Sequence, residues 1–201
     1  MNTPPRKAAN ATFLSVMDAI HSRRSVRNYL PDKLDPRVLR SLLDAAVQAP
    51  TAMHEEPWGF VVIEDVRLLD RLAASARQWA ELKAQGASSR EARMVVDLLE
   101  QPGFSIFHNA RTLVVIYSRF AGPFVVADCW LAAENFLLAA CSKGLGTCII
   151  GLIVPVLNTP EWRAELKVPA GATAIAPIVI GMPAAVTPPV SRQPPVILSW
   201  N

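Results

Sequence analysis

A chain of 201 residues has room for one domain with a substantial core or for two small ones. With 51% hydrophobic and 18% charged residues, it is too apolar for disorder to be its main state. The net charge of +3 is concentrated: residues 1–27 carry Arg6, Lys7, Arg23, Arg24 and Arg27 against Asp18 alone, and the rest is close to neutral. A body so balanced lacks the broad basic face of a general nucleic-acid binder, so the positive cluster points to a small anion.

Residues 1–12 have basic side chains but no apolar run after them, so they read as a flexible arm rather than a secretory signal. Residues 13–201 read as a single domain. Phe13, Val16, Met17 and Ile20 fall at i, i+3, i+4 and i+7, an amphipathic helix ending near Arg23. Asp35-Pro36 caps a second helix with the stripe Leu39, Leu42, Leu43 and Ala46, which ends before Pro50. Trp58–Ile63 reads as a strand, and Val66 to Leu99 as two helices broken near Gly86–Ser89. Thr112–Tyr117 is a continuous apolar strand of the kind buried on both faces. A long helix from Phe124 to Lys143 follows, stopped by Gly144 and Gly146. Its Asp128, Glu134 and Asn135 suit a soluble core better than a bilayer. Thr147–Ile150 and Ala172–Ile180 read as strands around a short helix at Glu161–Leu166. A proline-rich extended tail then follows, which packs on this subunit or another and has the option of completing the sheet. The layout is one α+β or α/β domain with helices against a four-stranded sheet.

Cys129, Cys141 and Cys148 form no CxxC pair and sit in apolar runs, as buried thiols in a reducing cytosol do, which implies a cytoplasmic protein. His21, His54 and His108 are scattered, with no metal-ligand spacing. Gly144–Gly151 fails both glycine-rich phosphate templates. Ile149 stands where the dinucleotide fingerprint needs glycine, and Leu152-Ile153 stand where the P-loop needs Lys-Ser/Thr. What remains is Arg23-Arg24-Ser25-Val26-Arg27. Three guanidinium forks and a hydroxyl can wrap a phosphate, or the same residues can form a solvated basic turn at a helix end.

Residues His21–Tyr29 with Asp35-Pro36 resemble the opening of the nitroreductase family of FMN-dependent enzymes. Ala49-Pro-Thr-Ala-Met-His-Glu-Glu-Pro-Trp58 resembles its second block, Asp128–Asn135 with Leu137–Ala140 its central helix, Gly144–Gly151 its flavin-facing turn, and Ile180–Pro183 with Arg192 its C-terminal block. The blocks come in the family's order over residues 13–195. The resemblance implies an α+β three-layer sandwich with a central, mostly antiparallel sheet flanked by helices, in an intertwined homodimer with FMN at the subunit interface. It implies that Arg23, Arg24, Ser25, Arg27 and Arg192 hold FMN, that Pro50, Thr51, Ala52, His54 and Glu56 are presented by the other subunit, and that Ile149, Ile150 and Gly151 lie near flavin N5. The implied chemistry passes hydride from NADH or NADPH through the flavin to a small acceptor, a nitroaromatic or quinone, by ping-pong kinetics. No catalytic side chain is named.

Two residues depart from the family pattern. His54 and Glu56 stand where asparagine and glutamine are usual, and an ionised glutamate only accepts hydrogen bonds. Glu56 either accepts from flavin N3–H and opposes charge on the reduced ring, or faces solvent or an arginine. These departures, with Ala52 in place of a hydroxyl, leave open a flavin-binding protein without turnover, for storage, sensing or degradation. Trp79, Phe104 and Phe107 are either substrate-covering rings or ordinary core.

Overall fold

The computed structural model describes residues 14–84 and 90–201. The expected arm over residues 1–12, Phe13 and the helix break near Gly86–Ser89 lie outside the described residues.

Four strands, β1 (Trp58–Ile63), β2 (Thr112–Ser118), β3 (Gly146–Ile149) and β4 (Thr173–Gly181), form one sheet in the order β1-β2-β4-β3. Every pairing is antiparallel. All seven residues of β2 are buried. Side chains alternate across a strand, so Leu113, Val115 and Tyr117 enter one core and Val114 and Ile116 the other. A bulge opposite Ile116 and Tyr117 shifts the β4 register by one residue.

Helices cover both faces, which is why β2 is a continuous apolar run. On one face lie α2 (Pro36–Ala46) and α5 (Val125–Ser142). On the other lie α3 (Val66–Ala84), α4 (Arg90–Leu99), α6 (Val154–Leu157) and α7 (Pro160–Glu165). The α+β three-layer reading is therefore correct. Asp35 caps α2 as expected, accepting from the Arg37 N–H at 2.8 Å, with Pro36 in the first turn.

The helix α5 is long and apolar enough to cross a membrane by length and composition. Its inner face, including Cys129, Ala132, Ala133, Phe136 and Ala140, packs instead on the sheet and α2. The small residues let the helix approach closely, and each fully buried large side chain contributes roughly 1.5–3 kcal/mol. Its outer face keeps Val126, Trp130 and Leu131 exposed. The first helix, α1 (Val16–Ser22), has the expected stripe, but Val16, Met17 and Ile20 face outward and Ala19 is the buried residue.

Further details refine the sequence reading. Strand β3 ends at Ile149; Gly151 opens a 3-10 turn (Gly151–Ile153) that leads into α6. Segments of three and four residues carry no periodicity to read. The tail adds no strand within the chain, and Val186, Val196, Leu198 and Trp200 lie exposed. Trp79, Phe104 and Phe107 pack with the core on the α3 side of the sheet, and Phe107 is buried. Of the cysteines, Cys129 and Cys148 are buried, while Cys141 is only half-buried, 3.5 Å from the Ser22 hydroxyl.

Candidate functional site

The arginine segment is held by backbone bonds to the sheet. The chain leaves α1 after Ser22, and the Arg23 N–H closes the helix on the Ala19 C=O at 2.9 Å. Ser25 then bridges Thr147 beside β3, and the Val26 N–H donates to the Thr147 C=O at 2.9 Å. Past it, the Leu30 N–H donates to the Met182 C=O and the Ala184 N–H to the Asn28 C=O. Val26 and Tyr29 point inward, and two glycines make room for them. A Cβ on Gly146 would lie 2.7 Å from Val26, and one on Gly181 3.1 Å from Tyr29. The Tyr29 hydroxyl donates to the Val26 C=O at 2.7 Å. With these side chains buried, the polar ones between them are left to the surface.

Arg23, Arg24, Ser25, Arg27 and Arg192 line one cleft of about 850 Å³, with Glu134 of α5 and the tail residues Thr187–Val190. That is the size of a small-molecule site. Four guanidiniums face a single carboxylate there. Arg23 Nε lies 3.7 Å from Glu134 Oε1. Arg24 donates from Nη1 to the His21 and Arg23 carbonyls at 2.8 and 2.9 Å, which covers the end of α1. Its Nε is buried, with no hydrogen-bond partner among the described residues. The excess of guanidinium charge over the one carboxylate lining the cleft favours an anion there.

The second block is organised differently. After the extended Thr51, the chain makes a tight, kinked turn over Ala52–His54, with the Glu55 N–H donating to the Ala52 C=O at 3.2 Å. Met53, His54 and Glu56 have φ of 56°, 57° and 44°, in the left-handed region. A side chain there costs roughly 1–2 kcal/mol per residue. The turn is pinned at both ends. The Ala52 N–H donates to the Asp128 carboxylate at 3.3 and 3.4 Å, and Arg119 Nη2 donates to the Glu56 C=O at 2.9 Å. The Met53, His54 and Glu56 side chains are exposed. Neither Pro50–Glu56 nor Ile149–Gly151 lines the arginine cleft. Ile149 is partly exposed and Ile150 is buried. The Ile150 N–H is already given to the Pro177 C=O at 2.9 Å, so it is not free for a ligand. Gly151 is exposed, with open space around its Cα.

Sequence reasoning missed Glu134 as the counter-charge of Arg23, and Asp128 and Arg119 as anchors of the second block. An acidic residue in the apolar run of α5 was the available signal for both carboxylates. Burial and the negative charge of Asp128 push the Cys129 thiol up to about 11. His108 was missed too. Its φ is 53°, followed by Asn109 at 66°, and its ring meets Phe104 edge-on at 6.0 Å. Burial first, and then the Arg27 charge, hold its pKa below 6.5. Burial raises the Cys148 thiol, with Arg27 and Arg23 opposing. Arg27 therefore acts on the core side of its segment as well as on the cleft.

The chain is thus a three-layer domain with an antiparallel sheet and a basic cleft after its first helix, of a size for a small ligand. The model of the nitroreductase family matches residues 20–181, and the chain belongs to that family of FMN-dependent oxidoreductases. It is 28% identical over 201 residues to the NADH dehydrogenase of Thermus thermophilus, covering 92% of this chain and 95% of that one. It is 26% identical over 164 residues to the iodotyrosine deiodinase of Thermotoga neapolitana, covering 77% and 86%. Among solved structures it resembles a nitroreductase with bound FMN from Bacteroides fragilis, with TM-score 0.77, 24% identity, and coverage of 94% and 100%.

Proposed function

We propose that the chain is a homodimeric, FMN-dependent oxidoreductase that takes hydride from NADH or NADPH and passes it through the bound flavin to a small acceptor such as a nitroaromatic or quinone. The observation that carries this is the cleft that brings Arg23, Arg24, Ser25, Arg27 and Arg192 together. Its donor set suits the FMN phosphate: planar forks from Arg23, Arg24, Arg27 and Arg192 pair with phosphate oxygens, and Ser25 adds a hydroxyl.

Bound FMN supplies the hydride chemistry between a reduced nicotinamide and the acceptor. The protein's part is to hold and tune. The arginines would hold the phosphate end, and Gly151, whose backbone is exposed, would supply an N–H for the flavin ring. Pro50, Thr51, Ala52, His54 and Glu56 serve the flavin of the other subunit, which fits their outward aim and their absence from their own cleft. The exposed faces of α1 and α5 are the surfaces the second copy covers: Val16, Met17 and Ile20 on one, Val126, Trp130 and Leu131 on the other. The thiols Cys129, Cys141 and Cys148 are free, which suits a cytoplasmic protein. Relatives named as an NADH dehydrogenase and a deiodinase use one fold for different acceptors.

An absorbance spectrum of the purified protein, followed by anaerobic addition of NADH and of NADPH, tests this reading. Yellow protein bleached by either nucleotide is expected. Yellow protein that stays oxidised would make it a flavin binder without turnover. Colourless protein that takes up no added FMN would overturn the cofactor itself.

A further inference from the structure

We propose that Asp128 is a positioning residue that sets the shape of the Ala52–Glu56 turn, through one hydrogen bond, for the flavin site. Asp128 is 4% exposed and sits in the first turn of an otherwise apolar helix face. Packing does not ask for a carboxylate there. A buried carboxylate is costly unless it is hydrogen-bonded. The partner of both carboxylate oxygens is the Ala52 N–H, at the start of the turn. Met53, His54 and Glu56 then follow with left-handed backbone, which Met53 and Glu56 do not favour. Strain of this kind persists only where the surroundings over-determine it. Asp128 provides that at one end, and Arg119, on the Glu56 carbonyl, at the other.

The turn's side chains are exposed, so the strain does not build this chain's own core. It fixes where His54 and Glu56 point. This inference rests on the reading that the turn meets a flavin, and the test separates the two. Wild-type protein that binds no FMN sinks that reading; wild-type protein that binds it, with indifferent variants, sinks only this inference.

Three variants are compared by FMN titration, visible circular dichroism of the bound flavin, and thermal melting. Asp128→Leu removes the acceptor, Asp128→Asn keeps an acceptor oxygen, and Ala52→Pro removes the donor. Proline lacks the N–H that Ala52 donates, and Thr51 before it already has the extended backbone that a residue preceding proline adopts, at φ −129° and ψ 148°. Asp128→Leu and Ala52→Pro are each expected to weaken FMN binding about tenfold and change the flavin dichroism, as loss of a bond to a charged group implies. Their combination is expected to be no weaker than either alone, because both remove the same bond. Asp128→Asn restores binding and spectrum. Should Asp128→Leu fail to fold, Ala52→Pro decides alone. The proposal is overturned by wild-type affinity in Ala52→Pro, by additive losses in the double variant, or by Asp128→Asn behaving like Asp128→Leu.

Discussion

The arginine segment Arg23–Arg27 and the Pro50–Glu56 turn hold most of the residues that the family resemblance marks for cofactor binding, and the chain builds them by opposite means. The first runs between β3 and the residues after β4, locked by ladder-like bonds and by two glycine gaps. It faces a cleft of its own chain and gathers Arg192 there from the far end of the sequence. The second has strained backbone, is pinned at its ends by Asp128 and Arg119, and turns its side chains away from that cleft. A cradle complete within one chain can wait for its anion. A strained turn with outward side chains has a use only against something outside its own subunit. The two halves thus belong to one site only if two chains meet.

The largest effect should come from separating the chains. Trp130 lies 41% exposed on the outer face of α5. Trp130→Glu places a charge where the second copy would sit. Loss of a central aromatic contact costs about 2–4 kcal/mol. The variant should be a monomer by light scattering and should lose FMN binding about a hundredfold, with its fold intact by circular dichroism. A monomer that keeps full affinity would show that the turn is not part of the partner's site. The next effect should come from the cradle. Arg23→Ala should weaken FMN binding about tenfold to a hundredfold, the range for a charge-assisted bond, while leaving the dimer whole. Riboflavin, which has no phosphate, should bind both proteins alike. Equal losses for FMN and riboflavin would move Arg23 away from the phosphate.

The cradle half of this contrast is readable in the sequence because it is local. Three arginines and a serine within five residues, after a helix with i, i+3, i+4 spacing, need no tertiary information. The continuous apolar run of β2 and the cap at Asp35-Pro36 are readable for the same reason. The second half is not. Asp128 meets Ala52 across 76 residues, and Arg119 meets Glu56 across 63. Nothing in either segment states that the other is near. The left-handed φ values of Met53 and Glu56 are equally hidden, since these residues do not prefer that region and lie there between the two anchors. The outward turn of the α1 stripe is the reverse lesson: periodicity shows that a face is apolar, not which molecule covers it.

A smaller effect tests what the turn does to the flavin. Glu56 stands where the family usually has glutamine. A carboxylate near the reduced ring should hold its potential down, so Glu56→Gln should raise it. A rise on the order of 30 mV is expected, a tenfold change for a two-electron couple. Spectroelectrochemical titration of both proteins reads it directly. An unchanged or lower potential in the variant would place Glu56 against solvent or an arginine instead.

The smallest effect concerns the core side of the cradle. His108 has its pKa held below 6.5, chiefly by burial and secondly by Arg27. In the unfolded chain the imidazole takes up a proton near its ordinary pKa; in the folded chain it does so only at lower pH. The unfolded state therefore binds more protons in that window, and stability must fall as pH drops below about 6.5. Above that pH both states are neutral and the contribution is complete. Denaturant melts of wild type and His108→Gln should show a steeper acid slope in wild type, with parallel curves above pH 7. A phosphate on Arg27 would cancel the smaller of the two causes while burial stays, so saturating FMN should reduce the His108-dependent part of the slope without abolishing it. Should FMN leave that part unchanged, Arg27 would be acting on the core alone, and the cradle would have to hold its anion with Arg23, Arg24 and Arg192.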